Sequence, residues 1–305
     1  MIGIDEIGFY IPETIISNYE RRDKFGIDDH FIEEKIGVKS VSVKASDEET
    51  SDLCVKAFNH LCTKKNIDLD EIEAIVVVTQ NPDQNIPHVS AMVHGKLGLN
   101  SHCACFDISL GCSGFVYALS TLLAFMESNG MKKGLLFTAD PYSKVVDPND
   151  KNTSLLFGDA AAVTLLSDNP RFVAGKFTFG TLGTDYEKLA CNDGVLFMNG
   201  RAVFNFAAKV VPDEIKLLAK INGFSLEDID KYLFHQGSKI IVDTIANKLG
   251  LPKEKVPYVI YDYGNTISST IPILLADEID EKSKKIAICG FGVGLSWATG
   301  LLKRL

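Results

Sequence analysis

The chain has 305 residues, 46% of them hydrophobic and 23% charged, with a formal net charge of −9. That supplies a sizeable core in one domain or two tightly packed ones. The acidic balance excludes a general nucleic-acid surface and fits poorly with an anionic membrane, while leaving room for a local basic patch that docks an acidic partner. No apolar run reaches the roughly 18–20 residues that span a bilayer, and the first residues, "MIGIDEIGFYIPE", carry acids where a signal peptide carries basic groups. Seven cysteines, an odd number, then read as reduced thiols in a cytoplasmic protein.

Taken in chain order, a helix is expected over 51–65, and "AIVVVT" (Ala74 to Thr79) reads as a buried strand. A second helix is expected over 89–97. "HCAC" (His102 to Cys105) has no second ligand pair at zinc-site spacing. Its alternation fits the approach to a strand, "CFDIS" (Cys105 to Ser109). A helix over 112–128 follows, then strands "GLLFTA" (Gly134 to Ala139) and "AAVTLL" (Ala161 to Leu166). Near-continuous apolar strands separated by helices predict an α/β fold whose sheets are covered on both faces. No Pro/Gly/Ser-rich linker or low-complexity tract interrupts it.

The chain also repeats itself. "LDEIEAIVVVTQ" begins at Leu69 and "LEDIDKYLFHQG" at Leu226; "KLGL" begins at Lys96 and again at Lys248. A strand ending at Asp107 follows the first copy, and "YVIYD", ending at Asp262 and read as the matching strand, follows the second. The offsets are 226 − 69 = 157, 248 − 96 = 152 and 262 − 107 = 155. They predict two duplicated halves, 1–168 and 169–305, each holding one sheet and related by a pseudo-twofold axis.

That symmetry brings equivalent loops together. Cys112 follows the strand ending at Asp107, Asn265 follows the segment ending at Asp262, and His235 ends a strand whose counterpart ends near Thr79. Open α/β sheets build sites at such strand ends. Cys112, between Gly111 and Gly114 at the mouth of a helix, is expected to feel the helix dipole, which favours its thiolate. Each residue alone has a plainer reading: a buried small thiol, a core imidazole, a turn or N-cap asparagine. Together they form a nucleophile with two polar partners. Gly290, Gly292 and Gly294 are expected to form a loop whose N–H groups, with that of Cys112, make an oxyanion hole. The spacing does not match a dinucleotide-binding loop.

The motifs "GFYIPE", "KIGVKS", "FDISLGCSGFVYALS", "DPND", "LFGDAAAV", "MNGRAVFNFA", "FHQGS", "YGNT" and "GFGVGLSWATGLL" run over essentially the whole chain. In these the sequence resembles β-ketoacyl-acyl-carrier-protein synthase III, a condensing enzyme of the thiolase superfamily. The resemblance implies a five-layered αβαβα fold, a homodimer and no cofactor. The substrates are acyl thioesters of coenzyme A or acyl carrier protein, with no nucleic acid or membrane as partner. It implies that Cys112 is acylated, that His235 and Asn265 stabilise the enolate formed as a malonyl thioester loses carbon dioxide, and that the backbone N–H groups of Cys112 and Val293 form the oxyanion hole. It also places Phe31, Lys35, Ile86, Lys151, Phe157, Met198, Gly200, Phe204, Gly237 and Lys239 in substrate binding.

Several positions depart from the family's pattern. Val293 replaces the middle residue of the terminal glycine trio, and its β-branched side chain narrows the backbone angles and crowds the pocket. Phe31 and Lys151 stand where a Trp and an Arg usually enclose the adenine of coenzyme A, and Lys lacks the planar guanidinium stack. Ile240, next to Lys239, replaces a carrier-binding Arg; Gln-Gly-Ser follows His235 in place of Gln-Ala-Asn; and Ile86 replaces a Phe that enters the partner's acyl pocket. These departures predict a specialised relative, serving a secondary-metabolite or polysaccharide pathway, with a different or longer primer. The trio alone leaves open an acyltransferase that moves the acyl group to an amine or hydroxyl without decarboxylation. A thiolase, a non-catalytic partner subunit and a Cys–His–Asn hydrolase fit less well. Cys289 stands one residue short of a thiolase's second cysteine, and Cys112 is the nucleophile that partner subunits lose.

Overall fold

Residues 74–78 are all buried, and their side chains alternate between two cores: Ile75 and Val77 face one, Ala74, Val76 and Val78 the other. A strand covered on both faces needs no polar alternation, and this chain is built around several. The computed structural model describes residues 1–277 and 282–305. Among these the strands are β1 (Gly3–Tyr10), β2 (Thr14–Ser17), β3 (Ser40–Val43), β4 (Ala74–Val78), β5 (Ala104–Ile108), β6 (Lys133–Ala139), β7 (Ala161–Ser167), β8 (Phe172–Thr181), β9 (Leu189–Asn192), β10 (Val195–Met198), β11 (Lys231–Phe234), β12 (Lys285–Gly292) and β13 (Ser296–Arg304). The helices are α1 (Arg22–Phe25), α2 (Thr50–Lys64), α3 (Val89–Leu97), α4 (Gly114–Asn129), α5 (Lys151–Ser154), α6 (Gly200–Ile221), α7 (Lys239–Leu249) and α8 (Thr270–Asp277).

Nine strands lie side by side in the order β11-β12-β13-β8-β1-β7-β6-β4-β5. Outward from β1, the neighbours β7 and β6 are antiparallel and β4 and β5 continue parallel. Outward from β8, β13 and β12 are antiparallel and β11 continues parallel. The same order and sense thus occurs twice over four strands, and the first block adds β5 at its edge. The two blocks are not separate sheets as expected, because the Ile4–Phe172 pair joins β1 to β8 in one continuous order.

Five layers result. Helices α2 and α3 pack on β1, β4, β5, β6 and β7. Helices α6 and α7 enclose the other outer core, with Val211, Ile215 and Ile245 buried against Tyr232 and Ala287. Between the blocks lie α4 and α8, whose Phe115, Leu119, Leu122, Ile271 and Leu274 share one core with strand residues from both. Their all-round apolar character follows from having a sheet on each side.

The expected strands and helices fall within one or two residues of those observed, the ordinary uncertainty of element ends. Two expectations are corrected. The helix expected from residue 112 begins at Gly114, with Ser113 as its N-cap and Cys112 in the preceding turn. "YVIYD" is not a strand: Ile260–Asp262 forms a single 3₁₀ turn. Its backbone bonds leave the ladder, with the Val259 N–H donating to Gln236 Oε1 and the Tyr261 carbonyl accepting from the Lys39 N–H.

Candidate active site

Five chain segments converge beside the two central helices, two of them together at the mouth. The first is the turn Leu110–Ser113 between β5 and α4, closed by the Gly114 N–H on the Gly111 carbonyl at 2.8 Å. It presents Cys112, 4% exposed. Strand β12 passes directly against it. A Cβ on Gly290 would stand 2.6 Å from the Cys112 carbonyl oxygen, and one on Gly292 would stand 2.6 Å from its sulfur. Both glycines belong to β12 rather than to the loop expected of them, and their purpose is close approach. Only Gly294 lies in the following turn, at φ 132°. The Ser113 and Ser296 hydroxyls lie 2.8 Å apart, and Ser296 Oγ donates to the Val293 carbonyl at 2.8 Å, fixing the turn against the hairpin.

The electrostatics of the thiol run against the effect expected of the helix. Burial pushes Cys112 up to about 12, and only the backbone N–H groups of Val293 and of Cys112 itself act to lower it. Cys112 precedes the helix by two residues and is only 4% exposed, so desolvation of the thiolate opposes the helix field. The same two N–H groups are those expected to form the oxyanion hole.

The second segment is His235, directly beyond β11 and 2% exposed. Its N–H continues the parallel ladder to the Cys289 carbonyl at 2.8 Å, and its ring meets Phe291 edge-on, centroids 5.5 Å apart. Burial lowers its pKa to about 3, so the imidazole is neutral. Gln236 is buried and holds the return chain, donating from Nε2 to the Pro257 carbonyl at 2.8 Å.

The third segment carries Asn265, 2% exposed and bridged to Phe157. The Ile267 N–H donates to Asn265 Oδ1 at 2.9 Å, which assigns the carboxamide: Nδ2 is the end that faces the histidine, 3.4 Å from Nε2. Ile267 holds φ at 51°, a strained value for a β-branched residue. Gly264 makes the turn at φ 84°; a Cβ there would meet the Leu156 carbonyl at 2.9 Å. Cys112, His235 and Asn265 thus line one cavity of about 190 Å³.

The fourth and fifth segments, at the mouth, are α5 and the π-helical turn Phe31–Ile36. Lys151 Nζ lies over the Phe31 ring, 5.0 Å from its centroid, and donates to the Phe25 carbonyl at 3.1 Å. Of the other residues assigned to substrate binding, Phe157, Met198, Gly200, Phe204 and Gly237 line the cavity with Val293. Three do not. Lys35 is exposed on the outer face of its turn. Lys239 is paired with Glu34 at 3.2 Å and Asp243 at 2.7 Å. Ile86 is 85% exposed on the surface. Sequence reasoning missed Tyr142, Leu189, Val203, Ile241 and Phe291 in the wall. Apolar residues at strand or helix spacing carry no signal that separates a cavity wall from a core. Among the described residues no group of His, Cys, Asp or Glu gathers as a metal's ligands would, and no helix is long and apolar enough to cross a membrane.

Comparison with known proteins gives concordant matches. The family model described as 3-oxoacyl-[acyl-carrier-protein (ACP)] synthase III matches residues 106–183, and that for its C terminal part matches residues 219–304. The chain is 35% identical to the beta-ketoacyl-[acyl-carrier-protein] synthase III of Streptococcus sanguinis (strain SK36), with 97% of each chain covered. It is 32% identical to that of Lactococcus lactis subsp. lactis (strain IL1403), with 98% of each covered. Among solved structures, the beta-ketoacyl-[acyl carrier protein] synthase III from Thermus thermophilus matches with a TM-score of 0.92 and 32% identity, over 99% of this chain and 98% of that one.

Proposed function

This chain belongs to the 3-oxoacyl-[acyl-carrier-protein] synthase III family, and from that premise we propose how its own residues carry out a decarboxylative Claisen condensation. Cys112 attacks the carbonyl of a primer thioester. The tetrahedral oxyanion is held by the N–H groups of Cys112 and Val293, the donor thiol leaves with the proton, and the acyl group stays on the sulfur. A malonyl thioester then enters. Its carboxylate departs as carbon dioxide and the electron pair passes to the thioester as an enolate. The enolate carbon attacks the acyl-Cys112 carbonyl, the C–S bond breaks, and a β-ketoacyl thioester is released.

The observation that carries this reading is that a neutral imidazole and an amide donor line the same cavity as one sulfur. Asn265 Nδ2 is fixed as a donor by the bond at Oδ1. With His235 in its Nε2–H form, an enolate oxygen between the two would accept from both. Burial keeps that imidazole neutral, which suits hydrogen-bond donation to a developing oxyanion.

The preferred donor is a carrier-protein thioester rather than free acyl-CoA, since the ammonium of Lys151 already lies over Phe31 and offers no flat face for a base. We assign the working unit as a homodimer. Ile86, exposed as it is, suits a contact with a second copy, and Phe179 and Phe197 are large apolar side chains left about half exposed. Seven free thiols fit a reducing, cytoplasmic setting.

The test is intact-protein mass spectrometry after incubation with a panel of acyl thioesters, followed by malonyl thioester and measurement of carbon dioxide. An adduct lost in Cys112→Ser, then discharged with stoichiometric carbon dioxide and a β-ketoacyl product, is the expected result. Discharge to an amine or alcohol without carbon dioxide would instead identify simple acyl transfer.

A further inference from the structure

Asp140 has no part in the chemistry above, yet it is 0% exposed at the C-terminal end of β6. A carboxylate removed from water is costly unless its oxygens are satisfied. Its partners are a backbone N–H and neutral side chains rather than a cation. Oδ1 accepts from the Gln80 N–H at 2.7 Å and from Thr79 Oγ1 at 3.5 Å, and Oδ2 accepts from Ser268 Oγ at 2.8 Å.

Those partners belong to the two halves of the active site. Gln80 lies beyond β4, and its side-chain oxygen presses on the residue before the nucleophile: a Cβ on Gly111 would stand 2.6 Å from Gln80 Oε1 and 3.5 Å from Ile267 Cγ2. Ser268 adjoins Ile267, whose N–H orients Asn265. A second bond beside it, Ser269 Oγ to the Thr138 carbonyl at 3.0 Å, seats the same segment on β6. One carboxylate therefore holds the segment packed against Gly111 with one oxygen and the segment bearing Asn265 with the other.

We propose that Asp140 is a positioning residue for the condensing step, fixing the Asn265 segment relative to Cys112 through Ser268 and Gln80. The inference rests on the condensation reading above. It acts on the second half-reaction, because Asn265 serves the enolate, whereas acylation depends on the Val293 N–H of the β12–β13 hairpin and on the Cys112 N–H, in a turn that the Ser113–Ser296 contact fixes to that hairpin. A strained turn at Ile267 needs such an external hold to persist.

The test separates the half-reactions in the full-length protein. Asp140→Ala and Ser268→Ala are each expected to lower carbon dioxide release from acylated enzyme by about 10–100-fold, the scale of a small misplacement of a reacting group. Acylation of Cys112 should change by less than about threefold. Asp140→Asn, which keeps an acceptor for Gln80 and a hydrogen-bonding partner for Ser268, should restore most of the rate. On an Asn265→Ala background the Ser268→Ala change should add nothing, since the two act through one contact. Equal losses in both half-reactions, or full additivity with Asn265→Ala, would overturn the proposal. If Asp140→Ala fails to fold, Ser268→Ala decides alone. Wild-type protein that acylates but releases no carbon dioxide refutes the condensation reading. Hydrogen exchange over 262–270 then decides the positioning role: faster exchange in Ser268→Ala supports it, and unchanged exchange overturns it.

Discussion

Asn265 Nδ2 stands 3.4 Å from His235 Nε2, while the opposite end of the same carboxamide is held by the Ile267 N–H at 2.9 Å. The amide is thereby committed as a donor toward the cavity. Its replacement should be felt according to charge as well as size. Asn265→Ala removes one donor to the enolate and is expected to slow carbon dioxide release by about 10²–10³-fold. Asn265→Asp, nearly the same size, should be slower still, because a carboxylate opposes the developing negative charge. Acylation of Cys112, followed by protein mass, should change far less in either variant. An aspartate variant faster than the alanine one would mean that Asn265 does not face the enolate.

The burial of His235 makes a separate statement about pH. Its folded pKa is lowered to about 3 from an ordinary 6.5. Between these values the unfolded chain binds a proton that the folded chain refuses, so the folded state loses stability as pH falls below about 6.5. Two units of acidification, to about pH 4.5, correspond to about 2–3 kcal/mol. Asp140 works the other way: burial raises it to about 6, so its contribution is lost as pH rises from about 4 to 6. Both forms of a wild-type and His235→Gln comparison contain Asp140, which isolates the histidine. Urea titrations at pH 4.5 and 7.5 are expected to show the wild type losing more stability than the variant. Parallel curves would place the imidazole in water.

The resting thiol should be a poor nucleophile toward small reagents. Burial holds Cys112 at about 12, so little thiolate exists at neutrality. Iodoacetamide is expected to label exposed Cys62 and Cys191 before Cys112. The Cys112 rate should climb by about tenfold per pH unit up to pH 9. Peptide mapping of the labelled protein measures it. A plateau near pH 7 would show that the Val293 N–H and the helix field dominate after all.

Much of this site was legible because it depends on spacing along the chain. The repeats around Leu69 and Leu226 placed Cys112, His235 and Asn265 at equivalent strand ends, and those residues do share a cavity. "YVIYD" misled because its place in the repeat predicts an equivalent position along the chain, not the backbone partners it finds there. Those partners are the Gln236 amide and the segment near Lys39, far away in sequence. The helix-field argument for Cys112 meets an opposing effect for a related reason. A dipole can be read from local order, but enclosure by β12 and the central helices cannot. Asp140 gave no signal either, since a single acid after a strand is ordinary until Ser268 is found 2.8 Å away.

Two glycines separate close approach from mere flexibility. Gly292→Ala would drive a methyl to within 2.6 Å of the Cys112 sulfur, and strand β12 leaves it nowhere to go. Overpacking of about 1–3 kcal/mol and near-complete loss of Cys112 acylation are expected. Gly95 lies exposed within α3 with nothing near its missing Cβ. Gly95→Ala should therefore raise stability by about 0.5–1 kcal/mol with acylation unchanged. Thermal melts and the mass assay read both. Normal acylation in Gly292→Ala would contradict the packing described here.

On the proposed reading, the mouth of the cavity sets which thioester is used. Lys151 Nζ lies 5.0 Å from the Phe31 ring centroid and is also held by the Phe25 carbonyl. An ammonium is a compact point charge, whereas a guanidinium offers a flat face that stacks, and an indole is a larger platform than a phenyl ring. Phe31→Trp combined with Lys151→Arg should therefore create a slot between two planar groups that a nucleotide base can enter. The KM for an acyl-CoA primer is expected to fall by about tenfold, the effect of roughly 1.4 kcal/mol of stacking. The KM for the same acyl group on a carrier protein should move by less than about twofold, because a carrier brings no base to the slot. The rate of carbon dioxide release should be unchanged, since neither residue reaches the sulfur. Each single change should give only part of the gain, as a stack needs both faces. Wild-type protein that already uses acyl-CoA as readily as the double variant would show that Lys151 swings aside at no cost, and the proposed preference for a carrier thioester would be refuted.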